Sequence, residues 1–178
     1  MTADKEEQLK VYSDEGEFLG VYENRSVVHK MGLYHQEVAF IPLNQKGEIL
    51  LQKRSKDKKS YAGCWALCAG HVVADESIKE AAVKEANEEL GLNLTDNDLL
   101  LLVETTKNDR DDNKCFATCF YKLIDKPLSY FIKQDEEVDE LAWVTINEFE
   151  EMVKAEKNCI FKNNQYYKNI IASLKEKV

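Results

Sequence analysis

The sequence predicts an α/β fold in which helices pack on a mixed β-sheet. Short segments rich in β-branched and aromatic residues alternate with helical patterns along the 178 residues. Such interleaving is typical of a layered α/β domain. The length suits a single domain over residues 1–178, and a hydrophobic content of 44% is enough to build its core. No shift in composition marks a second domain.

Two hairpins are predicted in the N-terminal third of the chain. The first covers about residues 9–22, where apolar and aromatic residues flank a polar turn. The second joins segments 35–42 and 48–54 through another short polar turn, and it is the clearest strand pair in the sequence. Between the two hairpins, residues 24–32 are expected to form a connector.

A helix is predicted to begin near Ile78, because Ser77 and Glu80 form a capping box, and to end at Leu90 before Gly91. An apolar stripe along one side of this helix is suited to packing on a sheet. The remaining expectations are strands at 99–103, 115–124 and 141–144, a polar loop at 106–114, an acidic segment at 133–140, and helices at about 146–156 and 164–176.

Composition limits the classes of function. The net charge of −9 argues against a broad nucleic-acid surface, which needs clustered Lys and Arg. No apolar run approaches the ~20 residues of a membrane span, and the charged N-terminus does not resemble a secretory signal. Five cysteines without dense spacing suggest free thiols, so we expect a cytoplasmic protein. An anionic substrate would have to be met by a metal ion or a confined basic patch.

Three acidic residues share one face of the predicted central helix. Glu85, Glu88 and Glu89 fall within one arc of the helix, where their charges repel each other. A hard divalent cation would offset this repulsion, and oxygen ligands suit Mg²⁺ or Mn²⁺. The alternative is a solvated acidic face without a ligand.

The segment around this helix matches a known signature, the Nudix box G-x5-E-x7-R-E-U-x-E-E-x-G-U, where U is a bulky apolar residue. The matching positions are Gly70, Glu76, Glu85, Glu88, Glu89, Gly91 and Leu92, within residues 70–92. Two positions depart, because Lys84 replaces the Arg and Ala86 occupies a U position. The chain therefore resembles the Nudix hydrolase superfamily, and the resemblance implies a Nudix α/β/α sandwich.

The resemblance also implies an activity, the Mg²⁺-dependent hydrolysis of a diphosphate linked to another moiety, with Mn²⁺ as another suitable ion. The metal would be held by Glu85, Glu88, Glu89 and the carbonyl of Gly70, and Glu76 would support the loop. Lys84 would act as a point charge where the family has the rigid fork of Arg. The general base is either Glu88 or Glu89, or an acid among residues 135–137. The resemblance also suggests that the chain forms a homodimer.

A basic loop, residues 54–63, precedes the box in this acidic chain. Arg54 and Lys58 are predicted to bind phosphate oxygens, the Arg as a fork and the Lys as a point charge. The alternative is a solvated loop without a ligand.

Further features resemble one branch of the superfamily, the isopentenyl-diphosphate isomerase-like proteins. They are Val28-His29, Gly32–His35, Leu50–Ser55, Lys58-Lys59, Trp65 and Gly70-His71. In those isomerases, histidines at the places of His29, His35 and His71 bind a metal. The resemblance thus implies that the three histidines of this chain form a second metal site or a substrate pocket.

This chain lacks residues that the isomerase reaction requires. Ala69 stands where the isomerases have a reactive Cys, and the side chain of Cys68, one residue earlier, points to the opposite face of an extended segment. The position of the isomerases' acid–base glutamate falls near Asn113 or Lys114 in this chain. Asp112 could replace that glutamate from a neighbouring position. Isomerisation is therefore an alternative function, and a module that binds a nucleotide or diphosphate without cleaving it is another.

Overall fold

The computed structural model describes residues 6–110 and 113–178, so Asp112 lies outside the described residues. The strands are β1 Gln8–Tyr12, β2 Phe18–Asn24, β3 His35–Leu43, β4 Glu48–Arg54, β5 Trp65–Ala66, β6 Cys68–His71, β7 Leu100–Lys107, β8 Cys115–Leu123 and β9 Val138–Thr145. The helices are α1 Arg25–Met31, α2 Ile78–Leu90, α3 Ile146–Ala155 and α4 Gln165–Lys175. The predicted first hairpin and the three longer helices are confirmed.

The connector predicted at residues 24–32 is wrong, because this segment contains helix α1. The helix has seven residues and no side-chain cap at its N-terminus, so its sequence signal is weak. Tertiary packing stabilises it instead, since the buried side chain of Val28 packs against Leu9 and Val11 of β1. The helix ends at Gly32 in the left-handed conformation.

The predicted second hairpin forms at its turn, but its strands then separate. β3 and β4 pair in register only at Leu43 and Ile49. Beyond that point β3 pairs in parallel with β8 and antiparallel with β6, while β4 pairs antiparallel with β9 and β5. The result is the mixed sheet that the sequence predicted.

The helices cover both faces of this sheet. One core cluster joins α2 to Val38, Phe40 and Leu50 of the sheet. The other joins α3 and α4 to the alternate strand positions, such as Ile41 and Leu51. Successive strand residues point to opposite faces, so each strand supplies both cores. This arrangement is the α/β/α sandwich that the sequence predicted.

Several predicted boundaries shift. Strand β7 runs to Lys107 and β9 begins at Val138, so the polar loop and the acidic segment are both shorter than expected. All five cysteines are free thiols. Among the described residues, no helix is long and apolar enough to cross a membrane.

Two helix-ending glycines allow a matched test of stability. Gly91 and Gly32 have nearly the same left-handed φ, +63° and +62°. A Cβ on Gly91 would lie 2.5 Å from the Cβ of Ile132, whereas a Cβ on Gly32 would meet nothing within 4 Å. We expect Gly32→Ala to lower the free energy of unfolding by about 1 kcal/mol, the cost of the left-handed conformation.

We expect Gly91→Ala to lower the free energy of unfolding by about 1–3 kcal/mol more than Gly32→Ala does, because the steric overlap adds to the conformational cost. Urea unfolding followed by circular dichroism measures both values. Equal losses in the two variants would contradict the close packing between the end of α2 and Ile132.

Candidate active site

Helix α2 presents the three predicted glutamates at graded depths. The capping box at Ser77 and the left-handed Gly91 fix the two ends of the helix and therefore its rotation. Glu89 is buried, Glu85 is half-buried and Glu88 is exposed. This placement agrees with the sequence prediction that the three side chains share one region of the helix surface. That region extends from the sheet, at Glu89, to solvent, at Glu88.

Glu89 is held by the sheet. Its Oε2 accepts hydrogen bonds from Nε2 of Gln52 on β4, at 2.7 Å, and from the backbone N–H of Ala69, at 3.3 Å. Burial raises the pKa of Glu89, although the Gln52 hydrogen bond opposes the shift. Sequence reasoning missed Gln52, because its partner is distant along the chain.

Glu85 lies directly against Gly70 of β6. A Cβ added at Gly70 would fall 2.2 Å from the carboxyl carbon of Glu85, so a side chain at this position would displace the carboxylate from its present place. Burial, together with the charge of Glu89, raises the pKa of Glu85 to about 8. Without a cation, burial and mutual repulsion therefore disfavour the full ionisation of these two carboxyl groups.

Lys84 and Glu76 flank this pair of carboxyl groups, which we call the glutamate pocket. Nζ of Lys84 lies 2.7 Å from Oε1 of Glu76 and 3.7 Å from Oε1 of Glu85. The Lys that replaces the Arg of the Nudix box thus reaches both carboxylates as a point charge. This bridge links the loop before α2 to the glutamate face.

The basic loop, residues 54–63, contacts the segment that leads into β9. Lys58 forms an ion pair with Glu137, which lies just before β9. Glu137 lies close enough to Glu89 for its charge to add, after burial, to the raised pKa of Glu89. Arg54 donates from Nε to the carbonyl oxygen of Ser60, 3.3 Å away, which closes the loop on itself.

The three histidines come together from three separate elements. His29 belongs to α1, His35 begins β3 and His71 ends β6. Their ligand atoms all lie within 4.8 Å of one another. Burial lowers the pKa of His71 to about 3, so its ring is neutral. Neutral imidazoles in such a cluster have the donor atoms that transition metals prefer.

Sequence reasoning missed an ion pair beside the histidines. Glu37 is buried, and both of its oxygens accept hydrogen bonds from Nη2 of Arg110 at 2.9 Å. Burial alone would raise the pKa of Glu37, but Arg110 and the neighbouring imidazoles hold it well below its usual range. Glu37 follows His35 by two residues on β3, a spacing that places both side chains on one face. No local signal points to Arg110.

The two clusters lie on opposite faces of β6. Gly70 faces Glu85 on the α2 side. The next residue, His71, is the cross-strand partner of Glu37, whose carboxylate lies beside Cys115 in the core shared with α3 and α4. Adjacent residues of a strand point to opposite faces, so one short strand supplies both sites.

The positions compared with the isomerases carry other roles. Cys68 is buried on the α2 side, and Ala69 donates its backbone N–H to Glu89. Asn113 is buried and donates from Nδ2 to Glu37 at 2.6 Å, which makes it a partner of that carboxylate. Within the described residues, the positions considered for the acid–base glutamate are Asn113 and Lys114, and neither carries a carboxylate.

The donor sets of the two clusters suit different ions. The glutamate pocket offers carboxylate oxygens, the ligands that a hard divalent cation prefers, and such a cation would offset the repulsion between them. The shape of the pocket depends on Gly70, because the Glu85 carboxylate lies where a side chain of residue 70 would be. The residues present therefore fit a hard divalent cation.

The profile of the NUDIX domain matches residues 33–163. Because this is more than half of the chain, the chain belongs to the NUDIX domain family. The resemblance to the Nudix superfamily and the sandwich fold predicted from the box are therefore confirmed.

Similar proteins include hydrolases and isomerases of this fold. Nudix hydrolase 3 of Arabidopsis thaliana is 32% identical over 162 residues, covering 85% of this chain and 21% of that protein. The isopentenyl-diphosphate Delta-isomerase of Saccharopolyspora erythraea is 32% identical over 96 residues, covering 53% of this chain and 50% of that protein. The chain thus spans half or less of the length of these two relatives.

Among solved structures, DR0079 from Deinococcus radiodurans superposes with a TM-score of 0.69 at 15% identity, over 96% of this chain and 98% of that one. This likeness shows the fold. The identity is too low to carry a substrate from one protein to the other.

Replacing Gly70 tests the geometry of the glutamate pocket. Because a Cβ at this position would overlap the Glu85 carboxyl group, we expect Gly70→Ala to displace that side chain. Mn²⁺ affinity, measured by electron paramagnetic resonance, should fall by about 10–100-fold, as it does when the support of a metal ligand is lost. Gly20→Ala in the N-terminal hairpin, where a Cβ meets nothing within 4 Å, is the control. Unchanged Mn²⁺ affinity in Gly70→Ala would contradict the assigned pocket.

Proposed function

We propose that this chain hydrolyses a diphosphate linked to another moiety, with Mg²⁺ or Mn²⁺ held by Glu85, Glu88, Glu89 and the Gly70 carbonyl. The observation that supports this most strongly is a pair of carboxylates, the buried Glu89 and the half-buried Glu85, of which Glu85 packs directly against Gly70. When bound, the cation supplies charge neutralisation of the diphosphate and a lower pKa for the attacking water.

The chain's own residues then position the reacting groups. Gln52 keeps Glu89 directed toward the pocket, and Lys84 ties Glu85 to the loop through Glu76. Both contacts exist before any substrate binds, so the carboxylates need little rearrangement. Gln52 and Lys84 are therefore positioning residues.

Lys58 and Arg54 are proposed to bind the phosphate oxygens. Lys58 is paired with Glu137, and a bound diphosphate would compete for its ammonium group. Arg54 uses only Nε within the loop, at the Ser60 carbonyl, which leaves the terminal nitrogens of its fork for a phosphate. The chain as a whole is negatively charged and repels anions, so an anionic substrate would be attracted locally, by this basic loop.

We assign the general base to Glu137 among the acids considered. Its charge acts on Glu89, and its partner Lys58 would move to the phosphate when substrate binds. Asp135 is exposed and paired with Lys133. In the proposed step Glu137 accepts a proton from water, the water oxygen bonds to one phosphorus, and the bridging P–O bond breaks toward the leaving phosphate oxygen.

Loss of the glutamate charges tests the hydrolase assignment. Glu88→Gln and Glu89→Gln should each lower Mg²⁺-dependent turnover by orders of magnitude, because each removes an anionic ligand. Phosphate release is followed across a panel of nucleotide sugars, dinucleotides, nucleoside triphosphates and prenyl diphosphates. Glu151→Gln, an exposed position on α3, is the control and should keep full activity.

Unchanged rates in both glutamate variants would remove the metal assignment. The same panel separates the alternatives, because a module that only binds would raise its melting temperature with a ligand and release no phosphate. Rearrangement of isopentenyl diphosphate without phosphate release would instead indicate an isomerase. The buried amide of Asn113 beside Glu37 does not favour that outcome.

The general base is tested at adjacent acids. Glu137→Gln should lower kcat by about 10²–10⁴-fold, the usual contribution of a positioned base, while Mn²⁺ affinity stays unchanged. The neighbouring exposed Glu136 provides the matched control Glu136→Gln. A loss of kcat in the Glu136 variant alone would move the base to that residue. Lys58→Ala should mainly raise KM, since it removes a phosphate contact.

Three expectations from the sequence stay predictions. They are a single domain over residues 1–178, assembly as a homodimer, and a cytoplasmic location. The three histidines are likewise proposed as a second metal site or a substrate pocket.

A further inference from the structure

The segment before β9 forms a turn that carries Glu137, the residue to which we assign the general base. The backbone N–H groups of Glu137 and Val138 both donate to the carbonyl oxygen of Gln134, at 3.0 Å and 2.8 Å. Two hydrogen bonds to a single carbonyl group make residues 134–138 a compact turn. The position of the Glu137 carboxylate therefore depends on the contacts that hold this turn.

The start of the turn is docked on the end of helix α2. The backbone N–H groups of Ile132 and Gln134 donate to the carbonyl oxygens of Leu90 and Glu89, at 3.0 Å and 3.4 Å. The last four carbonyl groups of a helix have no partner within the helix, so this segment caps α2. The turn that carries Glu137 thus begins at the same helix end that carries Glu89.

The side chain of Lys133 joins the two ends of the turn. Its Nζ donates to the carbonyl oxygen of Val138, 3.0 Å away, and forms an ion pair with Asp135. The side chain of Asp135 is 83% exposed, and ion pairs with such exposed partners contribute little to stability. The contact with the Val138 carbonyl is therefore the one that closes the turn.

The acceptor of Lys133 is itself rigid. Val138 is fully buried and is the first residue of β9, where it pairs with Arg54 of β4. A donor that reaches this carbonyl is therefore anchored to the sheet. Lys133 links the sheet to the end of α2, because the residues on both sides of it donate to that helix end.

The remaining contacts of Glu137 involve the basic loop. Its carbonyl oxygen accepts from the backbone N–H of Ser55 at 2.8 Å, and its carboxylate pairs with Lys58. In the proposed reaction, Lys58 moves to the phosphate oxygens of the substrate. The carboxylate then loses its side-chain partner, and the turn closed by Lys133 has to keep it in place.

We propose that Lys133 is a positioning residue, which holds Glu137 near Glu89 while Lys58 binds the substrate. This inference rests on the proposed function, because it concerns the base assigned there. The two lysines then have separate functions. Lys58 exchanges a carboxylate for a phosphate during each turnover, whereas Lys133 stays on a backbone carbonyl throughout.

Steady-state kinetics of Mg²⁺-dependent phosphate release test this division. We expect Lys133→Met to lower kcat by about 10–100-fold, the cost of a misplaced reacting group, with KM nearly unchanged. Lys133→Arg keeps donors that reach the Val138 carbonyl and should recover most of the lost kcat. Lys126→Met removes an exposed lysine from the same connection between β8 and β9, and as the control it should keep the native kcat.

Two further measurements separate positioning from a general loss of structure. Amide hydrogen exchange of Glu137 and Val138 should be about 2–10-fold faster in Lys133→Met, the factor that corresponds to the loss of one hydrogen bond. Lys126→Met should leave this exchange unchanged. Mn²⁺ affinity, measured by electron paramagnetic resonance, should match that of the native chain in both variants, because neither residue contacts the glutamate pocket.

Native kcat in Lys133→Met would overturn the proposal, as would a loss of kcat that Lys133→Arg does not recover. A higher KM at native kcat would also overturn it, by placing Lys133 among the phosphate contacts. Failure of the hydrolase proposal differs from both results, because the native chain itself would then release no phosphate from any substrate of the panel. In that case unchanged amide exchange in Lys133→Met would refute the closed turn as well.

Discussion

A carboxylate packed against a glycine is the contact on which the candidate active site depends. Glu85 occupies the space that any side chain at Gly70 would fill. This close approach brings α2 against β6 and places the buried Glu89 within reach of Gln52 and Ala69. The price is electrostatic, because two carboxylates share a poorly solvated pocket and their pKa values rise. A divalent cation would relieve that repulsion, so the electrostatic cost and the proposed chemistry have the same origin.

The topology of the sheet determines how the surrounding groups meet this pocket. β3 and β4 separate after Leu43 and Ile49, so the basic loop after β4 is carried toward β9, where Lys58 meets Glu137. β3 meanwhile pairs with β6 and β8, which brings Glu37 beside His71. A conventional hairpin would have kept the two strands together. Their separation gives the fold two distinct polar clusters.

These clusters also differ in chemistry. The glutamate pocket combines hard oxygen ligands with positioning contacts and a nearby basic loop, which suits a hydrolytic site for an anionic substrate. The histidine cluster is partly buried and rich in nitrogen, and beside it lies the ion pair of Arg110 and Glu37. Opposite faces of one short strand thus carry two polar clusters of different chemistry.

The sequence alone determined the features that depend on local signals. The capping box and Gly91 defined α2, and the spacing of its glutamates indicated the face that we propose binds a metal, because helix geometry repeats within a few residues. It did not reveal α1, whose seven residues are stabilised by contact with β1. Nor did it reveal that Gln52 supports Glu89 or that Arg110 pairs with Glu37. Only the tertiary structure decided these contacts, because strand pairing unites residues that no local pattern connects.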